Sequence, residues 1–239
     1  MTADSVICVR DVRKLFGAQA VLDRVSLEVR RGEAVALLGA NGAGKTTLLK
    51  IVATAMRPTA GSASVAGRDC VRDAEAVRRL IGVVGHGAWV YDDLTADENL
   101  RFWTTLNGQP ASADERAVAL AAVDLDRAAG ARVRTFSAGM KRRLALARLT
   151  LARPAALLLD EPFAGLDQRA KKWLEGYLEA FKGRGGALLM VTHSFGRELG
   201  VADRIAILAG GRIALDTSRA GLDPDDVPRL YAAHAEEGA

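Results

Sequence analysis

The stretch Ala34-Val-Ala-Leu-Leu38-Gly39-Ala40-Asn41-Gly42-Ala43-Gly44-Lys45-Thr46-Thr47 decides how this 239-residue chain is read. An apolar run ends at a glycine-rich loop, and a helical pattern, Thr47 to Thr54, follows it. Glycines at 39, 42 and 44 let the backbone turn its N–H groups inward as an anion nest, and the helix beyond adds the positive end of its dipole. Lys45 is then placed to neutralise outer phosphates, and the Thr46 hydroxyl to ligate Mg²⁺. Strand, loop and helix in that order are the context a phosphate-binding loop requires, so Gly39 to Thr47 form the expected nucleotide cradle. The loop alone leaves kinases, GTPases and motor ATPases open.

Outward from this loop, short apolar runs predict strands at Val6 to Val9, Val25 to Val29, Ala63 to Val65, Ile81 to Val84, Leu157 to Leu159, Leu188 to Thr192 and Ile205 to Leu208. The runs at Ala34, Leu157 and Leu188 hardly alternate, which marks strands buried on both faces of a parallel sheet with helices over it, an α/β core. Between Ala96 and Ala152 the strand signal vanishes, and the boxes Thr95-Ala-Asp-Glu98 and Ser112-Ala-Asp-Glu115 announce helices. The expectation is one domain over 1–239: a core at 1–87 and 153–216, a helical lobe inserted at 88–152, and a tail at 217–239. In that tail Asp223-Pro224-Asp225 could start a short helix reaching Ala233, with a thin apolar face.

Ala155-Ala-Leu-Leu-Leu159-Asp160-Glu161 is an apolar strand that ends in two acids, at the sheet edge where the phosphate loop also emerges. Asp160 is the expected Mg²⁺ partner. Glu161 is placed to polarise a water for attack on the γ-phosphate, a role a kinase would not need because its nucleophile is a substrate hydroxyl. His193 ends the strand Leu188 to Thr192 at the same edge, where a neutral imidazole could meet a phosphate oxygen and that water. Ser137-Ala138-Gly139-Met140 precedes a helix running to Ala152. Ser137 can cap it and leave N–H groups free for an anion.

The composition narrows the classes. Thirty-three basic against 29 acidic residues give a net charge of +4, too small an excess to argue for nucleic acid. Two cysteines, Cys8 and Cys70, are too few for a disulfide framework or a four-thiolate zinc site. The best candidate for a membrane span, Leu144 to Leu159, is broken by Arg148, Arg153 and Pro154, and Met1 to Arg13 lacks the pattern of a signal peptide. A cytoplasmic location is expected.

Together the phosphate loop, Ser137-Ala-Gly139-Met140, Asp160-Glu161-Pro162, Leu166-Asp167 and His193 resemble the ATP-binding domain of ABC transporters, over Val6 to Asp216. The resemblance implies a P-loop NTPase (RecA-like) core with an antiparallel β subdomain and a helical lobe. It also implies a head-to-tail dimer, of identical or different cassettes, with ATP held between the loop of one copy and Ser137, Gly139 and Met140 of the other. Phe16 matches the aromatic that stacks on adenine, Asp167 the aspartate that links the two sites, and Glu161 with His193 the catalytic pair. ATP and Mg²⁺ are the implied cofactors. Separately encoded integral membrane subunits are the implied partners, contacted through the lobe and the Gly85 to Asp93 loop on the inner face of the cell membrane.

Two departures stand out. Phe136-Ser-Ala-Gly-Met140 replaces the family's usual Leu-Ser-Gly-Gly-Gln, and Gly87 stands where a glutamine that touches Mg²⁺ is usual, with His86 beside it. Among branches, Val84-Gly-His86, Leu94 to Phe102 and Phe136 to Arg143 look like the haem-exporter ATP-binding subunits of cytochrome c maturation. Drug and polysaccharide exporters share parts of these strings. A non-transport relative, such as an iron–sulfur assembly subunit, and a module that holds ATP without hydrolysing it are the alternatives.

Overall fold

A computed structural model of the chain describes residues 4–85, 89–193, 195–223 and 226–235. Its centre is a six-stranded sheet in the order β10-β9-β3-β8-β7-β6. The parallel members are β3 (Ala34–Leu38), β6 (Ile81–Val84), β7 (Ala156–Asp160), β8 (Ala187–Val191) and β9 (Arg204–Ala209), while β10 (Arg212–Ser218) runs antiparallel to β9. The chain places β8 on one side of β3 and β9 on the other, so the strand order switches direction at β3. In open α/β sheets that switch opens a crevice at the carboxyl ends of the strands, where ligands bind.

The central strands are buried throughout, as the lack of alternation predicts. Their two faces nonetheless feed separate cores. Ala36, Leu38, Leu157, Leu159, Leu188 and Met190 face α5 (Ala138–Leu151) and α6 (Gln168–Gly183). Val35, Leu37, Leu158, Leu189 and Val191 face α1 (Lys45–Val52) and a second sheet. Each such leucine, taken fully out of water, contributes about 1.5–3 kcal/mol of burial free energy. This double core is what makes the strand ends a rigid platform.

The second sheet is antiparallel, in the order β2-β1-β4-β5, from β1 (Ser5–Phe16), β2 (Gln19–Arg30), β4 (Ala60–Val65) and β5 (Arg68–Asp69). β1 and β2 run well beyond the apolar kernels that predicted them, because Gly17, at φ +60°, closes them into a long hairpin. Arg204 on β9 ties the sheets together: it pairs with Glu33 and Asp216, and it donates to the Glu28 carbonyl on β2.

After α2 (Ala74–Leu80) and β6 come α3 (Ala96–Leu106) and α4 (Ala113–Ala121), which pack on each other and on α5. Both expected capping boxes form, Thr95 with Glu98 and Ser112 with Glu115. Arg116 on α4 grips Asp97 on α3 through two hydrogen bonds, at 2.7 and 3.0 Å.

Three features depart from the sequence reading. β5 and β10 carry no apolar run and were not expected; β10 extends past the expected start of the tail at 217. The tail does hold the short helix that the sequence suggested, α7 (Val227–Ala235), but it runs past Ala233 and is firmly packed, with Val227 buried in the core. No helix among the described residues is long and apolar enough to cross a membrane.

Candidate nucleotide site

The loop from Gly39 to Lys45 leaves β3 at the switch point and delivers α1. Two of its glycines are sterically required. A Cβ on Gly39 would stand 2.5 Å from the Leu208 carbonyl oxygen, and one on Gly44 would stand 2.7 Å from Leu22 Cδ2 and 2.9 Å from the Val21 carbonyl oxygen. Gly44 also has φ +103°, which favours glycine, and it occupies the N-cap of α1 without a capping side chain. The first N–H groups of that helix are therefore left for an anion. Lys45 folds back so that Nζ donates to the carbonyls of Gly39 at 2.7 Å and Ala40 at 2.9 Å. Burial pushes its ammonium below the ordinary lysine range, and the carboxylates of Glu161 and Asp160 partly oppose this.

The acids arrive on β7, beside β8. Asp160 ends the strand and accepts from Thr46 Oγ1 at 3.2 Å, so the first turn of α1 and the strand end share one oxygen cluster. Glu161 follows at φ +50°, a left-handed conformation costly for a side-chain-bearing residue, and both acids are only 8% exposed. The Glu161 carboxylate is held at both oxygens: Oε2 accepts from Thr192 Oγ1 at 3.3 Å, and Oε1 meets His193 Nδ1 at 2.6 Å. An ionised carboxylate only accepts, so the imidazole carries a proton on Nδ1 and turns Nε2 outward. The His193 side chain is 70% exposed.

The structure thus brings Lys45, Thr46, Asp160, Glu161 and His193 to one edge. It does not bring Ser137, Gly139, Met140, Asp167 or Phe16 into hydrogen bonds with them. Ser137 Oγ caps α5 by accepting from the Met140 N–H at 3.2 Å, and Asp167 caps α6 by accepting from the Ala170 N–H at 2.8 Å. Phe16 ends β1 with its ring 48% exposed and Lys14 Nζ 5.2 Å from its centroid. His86 and Gly87 lie outside the described residues.

Sequence reasoning missed two groups that shape the site. Thr192 is the second holder of Glu161. Arg142, on α5, donates through Nη2 to the Glu161 carbonyl at 2.5 Å. Burial lowers the Arg142 guanidinium below its usual range, with Glu161 and Asp160 opposing, and among the described residues its Nε finds no partner. The basic triplet Lys141-Arg142-Arg143 just inside a cap was the available signal, since cations at a helix start work against its dipole and need another reason to be there.

A glycine cradle, a threonine–aspartate oxygen pair and a clamped glutamate at the switch point of an α/β sheet form the chemistry of nucleotide handling. Comparison with known proteins agrees. The family model described as "ABC transporter" matches residues 22–164. The doxorubicin resistance ATP-binding protein DrrA of Mycobacterium tuberculosis (strain CDC 1551 / Oshkosh) is 40% identical over 214 residues, covering 88% of this chain and 65% of that protein. This chain therefore spans about two-thirds of the length of that relative. The cytochrome c biogenesis ATP-binding export protein CcmA of Pseudomonas putida (strain GB-1) is 38% identical over 193 residues, 81% of this chain and 89% of CcmA. A dimeric structure of an ATP-binding cassette in a post-hydrolysis state, bound to ADP and Pi, aligns with TM-score 0.78 and 26% identity over 90% of this chain and 100% of that one. With cradle, acids, sheet order and sequence pointing the same way, the chain belongs to the ABC transporter family.

Proposed function

We propose that this chain is the ATP-binding and ATP-hydrolysing subunit of an ABC exporter. The observation that carries the reading is the Glu161 carboxylate, fixed at both oxygens by Thr192 and His193 beside Lys45, Thr46 and Asp160. In this mechanism the N–H groups of the loop and of α1 bind the phosphates, and Lys45 exchanges its two loop carbonyls for phosphate oxygens. Glu161 accepts a proton from the attacking water. His193, with its Nδ1 proton committed to Glu161, holds the carboxylate in place, and its Nε2, which in this tautomer only accepts, faces the attacking water.

The Thr46 hydroxyl and the Asp160 carboxylate suit Mg²⁺, a hard cation that takes oxygen ligands, and these two residues would hold it. When bound, the ion supplies neutralisation of charge on the β- and γ-phosphates.

A second copy completes the site in this reading. Ser137, Gly139 and Met140 sit at the start of α5; the Met140 N–H is taken by the Ser137 cap, and the Gly139 N–H beside it would cover the phosphates bound by the opposite copy, while Phe16 stacks on adenine and Asp167 links the two sites. The dimeric, ADP-bound cassette of similar fold supports that arrangement. Integral membrane subunits would dock on the cytoplasmic side, at a cleft of about 670 Å³ between core and lobe lined by Val83, Gly85, Trp89, Trp103 and Arg148. For cargo, we propose haem, in line with the similarity to a protein named for cytochrome c biogenesis export.

The test is Glu161→Gln. It should lower turnover by about 100-fold or more, keep ATP affinity, and make an ATP-dependent dimer visible by size-exclusion chromatography. Equal hydrolysis by wild type and variant would remove Glu161 from the mechanism. ATP-driven haem accumulation in vesicles containing the membrane partner tests the cargo.

A further inference from the structure

The tail helix reaches back toward the catalytic edge. α7 carries Val227, Leu230, Tyr231 and His234 at the i, i+3, i+4, i+7 spacing of a single helical face. Val227 is 2% exposed, which anchors the helix in the larger core, and Tyr231 is half-buried against the same core. Tyr231 meets Phe195 edge-on, with ring centroids 5.1 Å apart and planes inclined at 61°. Phe195 lies two residues beyond His193, on the chain that leaves β8.

His193 needs such support. Its exposed ring is held to Glu161 through Nδ1, and little packing fixes a side chain with 70% exposure, so the imidazole can be only as well placed as the backbone that carries it. On the near side, Val191 is locked in the sheet by pairing with Asp160 and Leu37. On the far side, the next described aromatic is Phe195, and its ring is the one that Tyr231 meets.

We propose that Tyr231 is a positioning residue for hydrolysis: by seating Phe195, α7 fixes the far end of the segment that carries His193 and so keeps the imidazole on Glu161. The proposal rests on the reading of His193 as the group that holds the catalytic carboxylate. It gives the tail a role in turnover and none in nucleotide binding, because no residue of α7 lies in the cradle.

The experiment measures steady-state ATP hydrolysis by the full chain and its affinity for a fluorescent ATP analogue, for wild type, His193→Ala, Tyr231→Ala and Tyr231→Phe. Tyr231→Ala should lower kcat by about tenfold, since small misplacements of catalytic groups cost rate, while KM and analogue affinity stay within about twofold. Tyr231→Phe keeps the ring and should restore wild-type kcat. If Tyr231→Ala does not fold, Phe195→Leu removes the same ring contact from the other side and should show the same loss of kcat. A loss with His193→Ala but wild-type kcat with the ring variants overturns the positioning role alone. No loss with His193→Ala overturns the underlying reading of His193. A fall in affinity matching the fall in kcat makes α7 merely structural and overturns the proposal.

Discussion

Replacing Arg142 with methionine separates stability from catalysis. Among the described residues the guanidinium makes one charge-assisted hydrogen bond, from Nη2 to the Glu161 carbonyl, and such a bond is worth about 1.5–3 kcal/mol. Against this stand an Nε without a partner among the described residues and a charge whose burial is unfavourable enough to lower its pKa; an unsatisfied buried donor alone costs about 1–3 kcal/mol. The two sides nearly cancel, so Arg142→Met, which fills similar volume without a charge, should change unfolding free energy by less than about 1 kcal/mol. Turnover should respond differently. Glu161 sits at φ +50°, and Arg142 holds its peptide; freed, the peptide can relax and the carboxylate can leave its place beside Lys45. We expect kcat to fall by about 10- to 100-fold with KM nearly unchanged. Urea unfolding and steady-state hydrolysis on the same preparations decide it. A variant destabilised by about 3 kcal/mol or more with wild-type kcat would mean that Arg142 is a structural ion and nothing else.

Two further outcomes follow from other parts of the molecule. Cys70, 3% exposed, has its thiol pushed by burial from 9.0 to about 12, so the folded form resists ionisation while the unfolded chain ionises. Its contribution is fully present below pH 9.0 and is lost as pH rises toward 12, at about 1.4 kcal/mol per pH unit. Between pH 8 and 10.5 wild type should lose about 2 kcal/mol more than Cys70→Val in urea titrations, and parallel curves would refute this. Gly44→Ala must place a Cβ against Leu22 and the Val21 carbonyl at positive φ, so nucleotide affinity should fall at least about tenfold by equilibrium titration. An alanine variant with wild-type affinity would show that the loop does not need this backbone shape.

Most of the candidate site was legible because its residues are local in the chain. Ala34 to Leu38 and Ile81 to Val84 match β3 and β6 end to end, and the loop between β3 and α1 announces itself through glycine spacing. The caps at Thr95, Ser112 and Ser137 were readable too, since a cap is a contact over three residues, whereas the cap that Asp167 gives α6 was not read. What stayed hidden depends on distant partners. Arg142 reaches Glu161 across the gap between α5 and β7, and nothing in either segment names the other. β10 lacks an apolar run because its side chains alternate between exposed and half-buried; Gly210-Gly211, both at positive φ, were the overlooked hairpin signal. α7 seemed thin because one turn of its face is the aromatic ring of Tyr231, which matters only once Phe195 is known to lie beneath it.

Lys45 gives the cradle a threshold. Because its ammonium is already satisfied by two carbonyls of its own loop, any incoming anion must outbid those partners before it gains the lysine. A lone orthophosphate offers little beyond what it displaces, whereas a chain of three phosphates can also engage the N–H groups at the helix start in the same event. Selectivity for polyvalent guests is in this way written into how the loop closes upon itself.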